Sequence, residues 1–157
     1  SIQGIRPLMI EVQALVSSAV YGTPQRSATG FNSKRLNMIL AILEKRAGIQ
    51  IGSKDVFLNI TGGINIVDPS IDLAVMSSII SSHENIPIDR NICFSGEIGL
   101  SGEFRGISKP KERLSEAEKL GFNLFVTSNS NIDNLDKSKI RIKRLDQIEE
   151  LIEFLFR

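Results

Sequence analysis

The chain has 157 residues and a formal net charge of +1 at pH 7, with 41% hydrophobic and 24% charged residues. This length and composition are typical of one globular domain that buries roughly two thirds of its unfolded surface without disulfide or metal staples. The balanced charge demands neither a polyanion nor a membrane as partner. With a single cysteine, no apolar run of membrane-spanning length and no leader, the sequence favours a reducing, cytoplasmic compartment.

The first half of the sequence predicts three strands and one helix. Period-two apolar patterns indicate the strands, and apolar residues spaced three and four apart indicate the helix. In chain order these elements are a strand at residues 8–16, a second strand at 26–29, a helix capped by Asn32 or Ser33 that ends near Gly48, and a strand at 55–61.

The second half predicts helices and strands that do not alternate strictly. The elements are a helix beginning at Pro69 with Asp68 as its cap, a hairpin from 91–98 and 104–107, a helix from about Lys109 to Leu120, strands at 122–126 and 140–143, and a terminal helix around 148–155. We therefore predict one α/β domain over residues 1–157, with a mixed, partly antiparallel sheet and helices mainly on one face.

The sequence contains no recognisable motif for a nucleotide-binding loop or for a metal site. The segment from Gly48 to Lys54 has a serine where a phosphate-binding loop needs its lysine, so no nucleotide site is predicted here. His83 is the only histidine and Cys93 the only cysteine, so no metal site is predicted either. His83, beside a glutamate after a helix, is typical of a solvated surface residue.

Ser70 and Lys111 are the residues whose contexts favour nucleophilic chemistry. Ser70 is at the second position of a predicted helix, where free N–H groups and the dipole favour negative charge on its oxygen. Lys111 is in the first turn of another helix, where the dipole disfavours a cation and so favours the neutral amine that a base requires. The alternative, which spacing alone favours, is that Ser70 fills a helix terminus and Lys111 is solvated.

Residues 137–144 form the remaining charged feature. In a strand, Lys139, Arg141 and Lys143 share one face while the intervening isoleucines point to the core, which predicts a basic ribbon able to contact phosphates. Lysines that protect an edge strand from aggregation give the same pattern, and the spacing alone favours that interpretation.

Five segments carry a resemblance to a known family. They are RPLMIEVQALV (6–16), GTPQRSATGFN (22–32), LEKRAG (43–48), GEIGLSGE (96–103) and EAEKLGF (116–122). They resemble the carboxy-terminal domain of the bacterial RadA (Sms) family of DNA repair and recombination proteins, which is itself similar to the proteolytic domain of Lon, a serine-lysine peptidase. The resemblance covers nearly the whole chain and implies the Lon-type α/β fold.

The resemblance also implies what surrounds this domain and what it does. The chain begins at Ser1 and enters a strand pattern almost at once, so we expect a fragment of a longer protein. Full-length members of the family are hexameric, DNA-dependent ATPases that promote branch migration. They contain a zinc finger and a RecA-like ATPase domain in addition to this domain. ATP, Mg and Zn are therefore expected outside these residues, with no cofactor within them. This chain is expected to act as a scaffold for hexamer assembly and DNA contact, or as an oligomerisation module without DNA contact.

The likeness to Lon assigns the peptidase dyad to Ser70 and Lys111. Lon has two small residues after its serine, whereas this sequence has Ile71 and Asp72, which crowd the approach of a substrate backbone. Asp72 is expected to pair with Lys111 and keep it protonated, which would prevent it from acting as a base. We therefore expect vestigial dyad positions without peptidase activity; the alternative is a working serine-lysine hydrolase.

Overall fold

A computed structural model of the chain describes residues 1–3, 6–130, 135 and 138–157, so Lys137 of the basic segment lies outside the described residues. The elements are β1 (Ile2–Gln3), β2 (Arg6–Pro7), β3 (Val12–Ser18), β4 (Arg26–Thr29), α1 (Ser33–Ala47), β5 (Lys54–Ile60), a 3₁₀ turn (Pro69–Ile71), α2 (Asp72–Glu84), β6 (Ile92–Ser95), β7 (Glu97–Ile98), β8 (Phe104–Arg105), α3 (Pro110–Lys119), β9 (Leu124–Ser128), β10 (Arg141–Leu145) and α4 (Ile148–Phe156). The predicted α/β class is confirmed.

The described strands form two three-stranded sheets and two short antiparallel pairs. In the first sheet, β5 is central, with β3 antiparallel on one side and β4 parallel on the other. In the second sheet, β9 is central and both β6 and β10 run parallel to it. The short pairs are β1 with β2 and β7 with β8.

The largest differences between the predicted and the observed strands concern two segments. The first begins at Val12 and not at residue 8, because the ladder with β5 starts with Val12 opposite Ile60. The segment predicted as one hairpin strand is divided at Gly96, whose N–H donates to the Ser70 carbonyl (2.8 Å) and whose carbonyl accepts from Leu73 (3.2 Å). These bonds tie the chain to α2, so that β6 joins the parallel sheet and β7 alone forms the hairpin with β8.

The main core contains buried residues of β5, of helices α1, α2 and α4, and of strands β7 to β10. Alternate residues of β5 are almost completely buried, and so is the predicted apolar stripe of α1. Asn32 caps α1 by accepting the Arg35 N–H (3.0 Å), and Gly48 ends it with a φ of 68°, as the sequence predicts.

A second, smaller core fixes the position of α3. Leu114 and Ala117 of this helix pack with Phe125 of β9, with Cys93 of β6 and with Ile140, which precedes β10. This packing brings the first turn of α3 next to the 3₁₀ turn that precedes α2. The two helix beginnings together form the candidate site.

Candidate functional site

Ser70 lies in the 3₁₀ turn, and Asp68 caps that turn. The Ser70 N–H donates to Asp68 Oδ1 (3.0 Å), and Pro69 occupies the first position, where a missing N–H costs little. The capping role predicted for Asp68 is thus confirmed, although the first turn is 3₁₀ and the α-helix begins at Asp72. Ser70 is 2% exposed.

The side chain that contacts the Ser70 hydroxyl is the guanidinium of Arg113. Its Nη1 donates to Ser70 Oγ (2.6 Å), and its Nη2 donates to Asp68 Oδ2 (3.0 Å). Its Nε donates to the Ser108 carbonyl (2.7 Å), just before α3 begins. Arg113 is 5% exposed. Because a guanidinium keeps its proton and has no acceptor, it can donate to the Ser70 oxygen but cannot withdraw a proton from it.

Lys111 faces the opposite side of α3. Residues two apart on an α-helix are separated by about 200° around its axis, so a helix that turns Arg113 toward Ser70 turns Lys111 away. Lys111 is exposed and lines an open groove of about 770 Å³ together with Leu8, Ser115 and Lys119. The structure thus brings Arg113, and not Lys111, to the serine.

The predicted pairing of Asp72 with Lys111 is wrong. Asp72 is fully buried and accepts from Arg35 of α1, with the Arg35 Nε to Asp72 Oδ1 distance at 2.7 Å. It also accepts the Ile98 N–H (3.1 Å). The first turn of α2 directs this carboxylate toward α1 and β7, away from α3. Burial raises the pKa of Asp72, and the bonds from Arg35 and Ile98 oppose that rise.

Asp68 is the other acid next to Ser70, and it is a poor base. Burial alone raises the pKa of Asp68, but hydrogen bonds from the backbone N–H groups of Ser70 and Ile2, together with the charge of Arg113, lower it to about 2. An anion with so low a pKa holds a proton weakly near pH 7. The groups in contact with Ser70 therefore fix its hydroxyl in place and do not activate it.

The basic ribbon residues lie on the surface, at the edge of the second sheet. Lys139, Arg141 and Lys143 are all exposed, and β10 is an outer strand of its sheet. Lys139 lies in a bend just before β10, so the strand face carries Arg141 and Lys143. The Lys143 ammonium lies 5.0 Å from the ring centre of Phe154 in α4, which holds its stem against that helix. Contact with DNA stays a prediction.

Sequence reasoning missed Arg113. It adjoins Leu114 and lies four residues before Ala117, so it is on the apolar side of α3, and a buried arginine requires an anionic partner. That pattern signals burial but does not identify the partner, because Asp68 and Arg113 are 45 residues apart in sequence.

The described part of the chain contains no group of three or more His, Cys, Asp or Glu side chains placed to bind a metal ion. Among the helices that the structure describes, none has the length and apolar character needed to cross a bilayer.

Residues 46–157 match the family of the Lon protease (S16) C-terminal proteolytic domain. The chain is also similar to curated proteins named DNA repair protein RadA. It is 41% identical to that of Bacillus subtilis (strain 168) over 139 residues, 88% of this chain and 30% of that protein. It is 43% identical to that of Rickettsia prowazekii (strain Madrid E) over 153 residues, 97% of this chain and 34% of that protein. It is 38% identical to that of Streptococcus pneumoniae (strain ATCC BAA-255 / R6) over 157 residues, 99% of this chain and 37% of that protein. The chain thus spans about a third of the length of these relatives.

Proposed function

Because the chain belongs to the family of Lon protease (S16) C-terminal proteolytic domains, we propose that it is a non-proteolytic member of that family within a cytoplasmic DNA repair protein. In this proposal the chain mediates assembly into a hexameric ring and contacts DNA. The names of its relatives support the repair role, since each is a DNA repair protein. ATP hydrolysis, branch migration and the binding of ATP, Mg and Zn would belong to other parts of a longer protein.

One observation carries the non-proteolytic part of the proposal: the partner of the Ser70 hydroxyl is Arg113. A serine nucleophile needs a neighbouring base that takes its proton as it attacks, and a guanidinium has no lone pair for that proton. The carboxylate within the same network, Asp68, has a pKa of about 2 and is already saturated with donors. The exposed amine of Lys111 is directed to the other side of α3.

The residues after Ser70 support the same conclusion. Ile71 and Asp72 are 4% and 0% exposed, so both side chains are part of the interior. The Asp72 carboxylate accepts hydrogen bonds from Arg35 of α1 and from the Ile98 N–H of β7, and these bonds fix the position of this turn. Backbone N–H groups that stabilise an oxyanion must be free and directed at the substrate, and removing one such donor typically costs ~100- to 1000-fold in rate. The Ser70 N–H is not free, because it donates to Asp68 Oδ1.

The scaffold part of the proposal rests on two surface features. The basic residues Lys139, Arg141 and Lys143 are exposed at a sheet edge, where they can reach phosphates. Leu15 and Phe57 are exposed side by side across β3 and β5, where they can pack against another copy.

Labelling with a fluorophosphonate tests the proposal directly. The wild-type chain, Ser70→Ala and Lys111→Ala are incubated with the reagent and, separately, with an unfolded protein substrate, beside an active serine protease as positive control. We expect the wild type to be labelled no more than Ser70→Ala and the substrate to stay intact. Labelling or proteolysis that is abolished in both variants would establish the serine-lysine hydrolase instead.

The same Ser70→Ala variant has a second expected effect. Removing the hydroxyl leaves a buried Arg113 N–H without its acceptor, so we expect the free energy of unfolding to fall by about 1–3 kcal/mol. Urea unfolding of the variant beside the wild type measures the change.

A further inference from the structure

The outer edge of β4 is open, because β4 pairs with β5 on one side only. The Val56 N–H donates to the Gln25 carbonyl (2.8 Å), and Arg26 lies opposite Val56 in the parallel register. In such a ladder Ser27 bonds to β5 through both its N–H and its carbonyl, and its two neighbours direct their backbone groups the other way. The outward groups are the N–H and the carbonyl of Arg26 and of Ala28. Within the described part of the chain, these four groups have no hydrogen-bond partner.

The opposite edge of the same sheet is closed by α2. The Val16 N–H of β3 donates to Ser82 Oγ (2.9 Å), and Ser78 Oγ donates to the Val12 carbonyl (3.3 Å). Two serines thus take the place of a neighbouring strand on that side. Among the described residues nothing covers β4 in this way, and an edge with unpaired backbone groups is a surface to which another strand can add.

The open stretch of β4 is complementary to itself. It is bounded by Pro24, which has no N–H, and by Gly30, whose carbonyl already accepts a backbone N–H (2.9 Å). When two copies pair antiparallel about an axis at Ser27, Arg26 of each copy lies opposite Ala28 of the other in a hydrogen-bonded pair. All four free groups of each copy are then bonded, and no two like charges lie directly opposite each other.

The face of α1 beside this edge carries opposite charges at its two ends. Arg26, at the start of β4, and Glu44, near the end of α1, line one groove of about 510 Å³, so the helix runs back along the strand. Exposed Asn37 and Ala41 lie between Glu44 and Lys34 on the same helical face. The two-fold pairing makes the α1 helices of the two copies antiparallel, which places Lys34 of each copy near Glu44 of the other.

We propose that the outer edge of β4 and the adjoining face of α1 bind a second copy of this chain through a two-fold interface that joins their first sheets into one. This inference goes beyond the proposed function. It also concerns a different surface from Leu15 and Phe57, because Phe57 lies beside Ser27 on the face of the sheet opposite to Ala28, which packs toward the core.

The interface is expected to be weak when it acts alone. One pair of edges makes four backbone hydrogen bonds between neutral groups, and each such bond contributes little net free energy after the loss of water. Dimers should therefore form well above micromolar concentrations, or where a larger assembly already holds two copies close together.

Hydrogen exchange of single amides at micromolar and at millimolar protein concentration tests the inference. The background is Leu15→Lys, which removes association through the separate apolar pair. We expect the amides of Arg26 and Ala28 to exchange severalfold more slowly at the higher concentration. The Ser27 amide, already bonded to β5, should keep its rate.

Two variants at position 28 isolate the backbone donor. Ala28→Pro removes the outward N–H, which an edge strand tolerates, whereas Ala28→Val introduces a side chain of similar size and keeps that N–H. The protection of Arg26 at high concentration should be lost in Ala28→Pro and kept in Ala28→Val. Equal protection of Arg26 in the two variants would exclude pairing through β4.

A charge reversal on α1 tests the two-fold register without changing β4. Glu44→Lys should weaken the dimer in sedimentation equilibrium, because lysines of the two copies then face each other, and adding Lys34→Glu should restore it. Positions 34 and 44 are about 15 Å apart along one helix, too far to pair within a copy, so the rescue reports a contact between copies. If the Arg26 and Ala28 amides exchange at the same rate at both concentrations, or the double variant associates no better than Glu44→Lys, the inference is wrong.

Discussion

Lys111 and Arg113 are two positions apart in sequence, and their side chains point to opposite sides of α3. The resemblance to Lon predicted Lys111 as the dyad lysine, whereas the side chain in contact with Ser70 is that of Arg113. A buried, permanently charged donor next to a hydroxyl restrains it, and a neutral amine would activate it. Chemistry at this site is therefore determined by which face of one helical turn points inward.

The backbone of Lys109 makes the Arg113 position possible. Lys109 has φ of 51° and ψ of 53°, a left-handed conformation that costs a residue with a Cβ about 1–2 kcal/mol. This conformation precedes α3, and it lets the Ser108 carbonyl accept from Arg113 Nε (2.7 Å). Lys109 is exposed and its side chain does not cap the helix.

Two glycine substitutions should therefore have opposite effects. Lys109→Gly relieves the strain and is expected to raise the free energy of unfolding by up to about 1 kcal/mol, since part of the gain is offset by unfolded-state entropy. Lys111→Gly, in the first turn of α3, is expected to lower it by about 0.5–1 kcal/mol. Urea unfolding of both variants measures the two changes. A clear loss of stability in Lys109→Gly would mean that its side chain has a role that the geometry does not explain.

The sequence predicts the local part of this site and fails for the distant part. Asp68 caps the turn that holds Ser70 because both are within three residues, and local hydrogen bonding favours that geometry. The contact of Arg113 with Ser70 spans 43 residues, so it depends on how α3 packs against β6 and β9. No period or spacing in the sequence encodes that packing.

Arg35 and Asp72 connect three elements of the fold. Arg35 on α1 donates to Asp72 at the start of α2, and Asp72 accepts from Ile98 in β7. Glu97 of β7 lies 3.8 Å from the same guanidinium. The Asp72 side chain is completely buried while that of Arg35 is 27% exposed, so the pair is only partly shielded from water.

Removing Arg35 should be costly, because it leaves a buried carboxylate without its cation. We expect Arg35→Met to lower the free energy of unfolding by about 2–3 kcal/mol, less than for a fully buried pair because Arg35 is partly exposed. Lys34→Met, at the exposed neighbouring position, should change it by less than about 0.5 kcal/mol. Equal effects of the two variants in urea unfolding would show that the Arg35 pair contributes little.

The position of β10 at the edge of its sheet gives the basic ribbon its test. If Lys139, Arg141 and Lys143 contact phosphates, DNA binding should be insensitive to base sequence and steeply dependent on salt. Replacing all three by alanine should weaken binding and flatten the log–log salt slope by about 0.7–0.9 for each phosphate that is no longer neutralised. Fluorescence anisotropy across salt concentrations measures both quantities.

A second triple variant separates the ribbon from net charge alone. Lys34→Ala, Lys45→Ala and Lys119→Ala remove the same number of positive charges from exposed positions on α1 and α3. We expect this control to bind DNA nearly as well as the wild type. If both triple variants show the same fall in affinity, or neither shows any, the ribbon serves only to protect the edge strand.

At the level of elements, prediction succeeded where a pattern is complete within one element. Helix α1, with its cap at Asn32 and its end at Gly48, is an example. The segment at 91–98 was divided because Gly96 bonds to Ser70 and Leu73, which are far away in sequence. Which strands pair with one another therefore depends on tertiary contacts, and the alternation of apolar residues does not predict those contacts.

An apolar pair is exposed on the first sheet. Leu15 on β3 lies opposite Phe57 on β5, and their exposed fractions are 58% and 37%. Neighbouring apolar side chains on one face of a sheet are typical of an interaction surface, whereas scattered ones are not. Val20, in the loop after β3, is 76% exposed but is outside the paired strands.

Self-association is therefore expected, and light scattering across micromolar concentrations measures it. We expect a hexamer or intermediates of its assembly, and Leu15→Lys should shift the distribution toward monomer because a charge would be buried in the interface. Val20→Lys is the matched control and should leave the distribution unchanged. A strictly monomeric wild type at the highest concentration contradicts the ring proposal for this chain.

The Asp68 carboxylate also bears on the order in which the molecule folds. Asp68 accepts a hydrogen bond from Ile2, 66 residues before it in sequence, and another from Arg113, 45 residues after it. Closing two long loops costs entropy before the bonds can compensate for it, so these contacts are expected to form after the folding transition state. Contacts of that kind leave the rate of folding unchanged and slow the rate of unfolding. The bonds that converge on Asp68 would thus lengthen the lifetime of the native state.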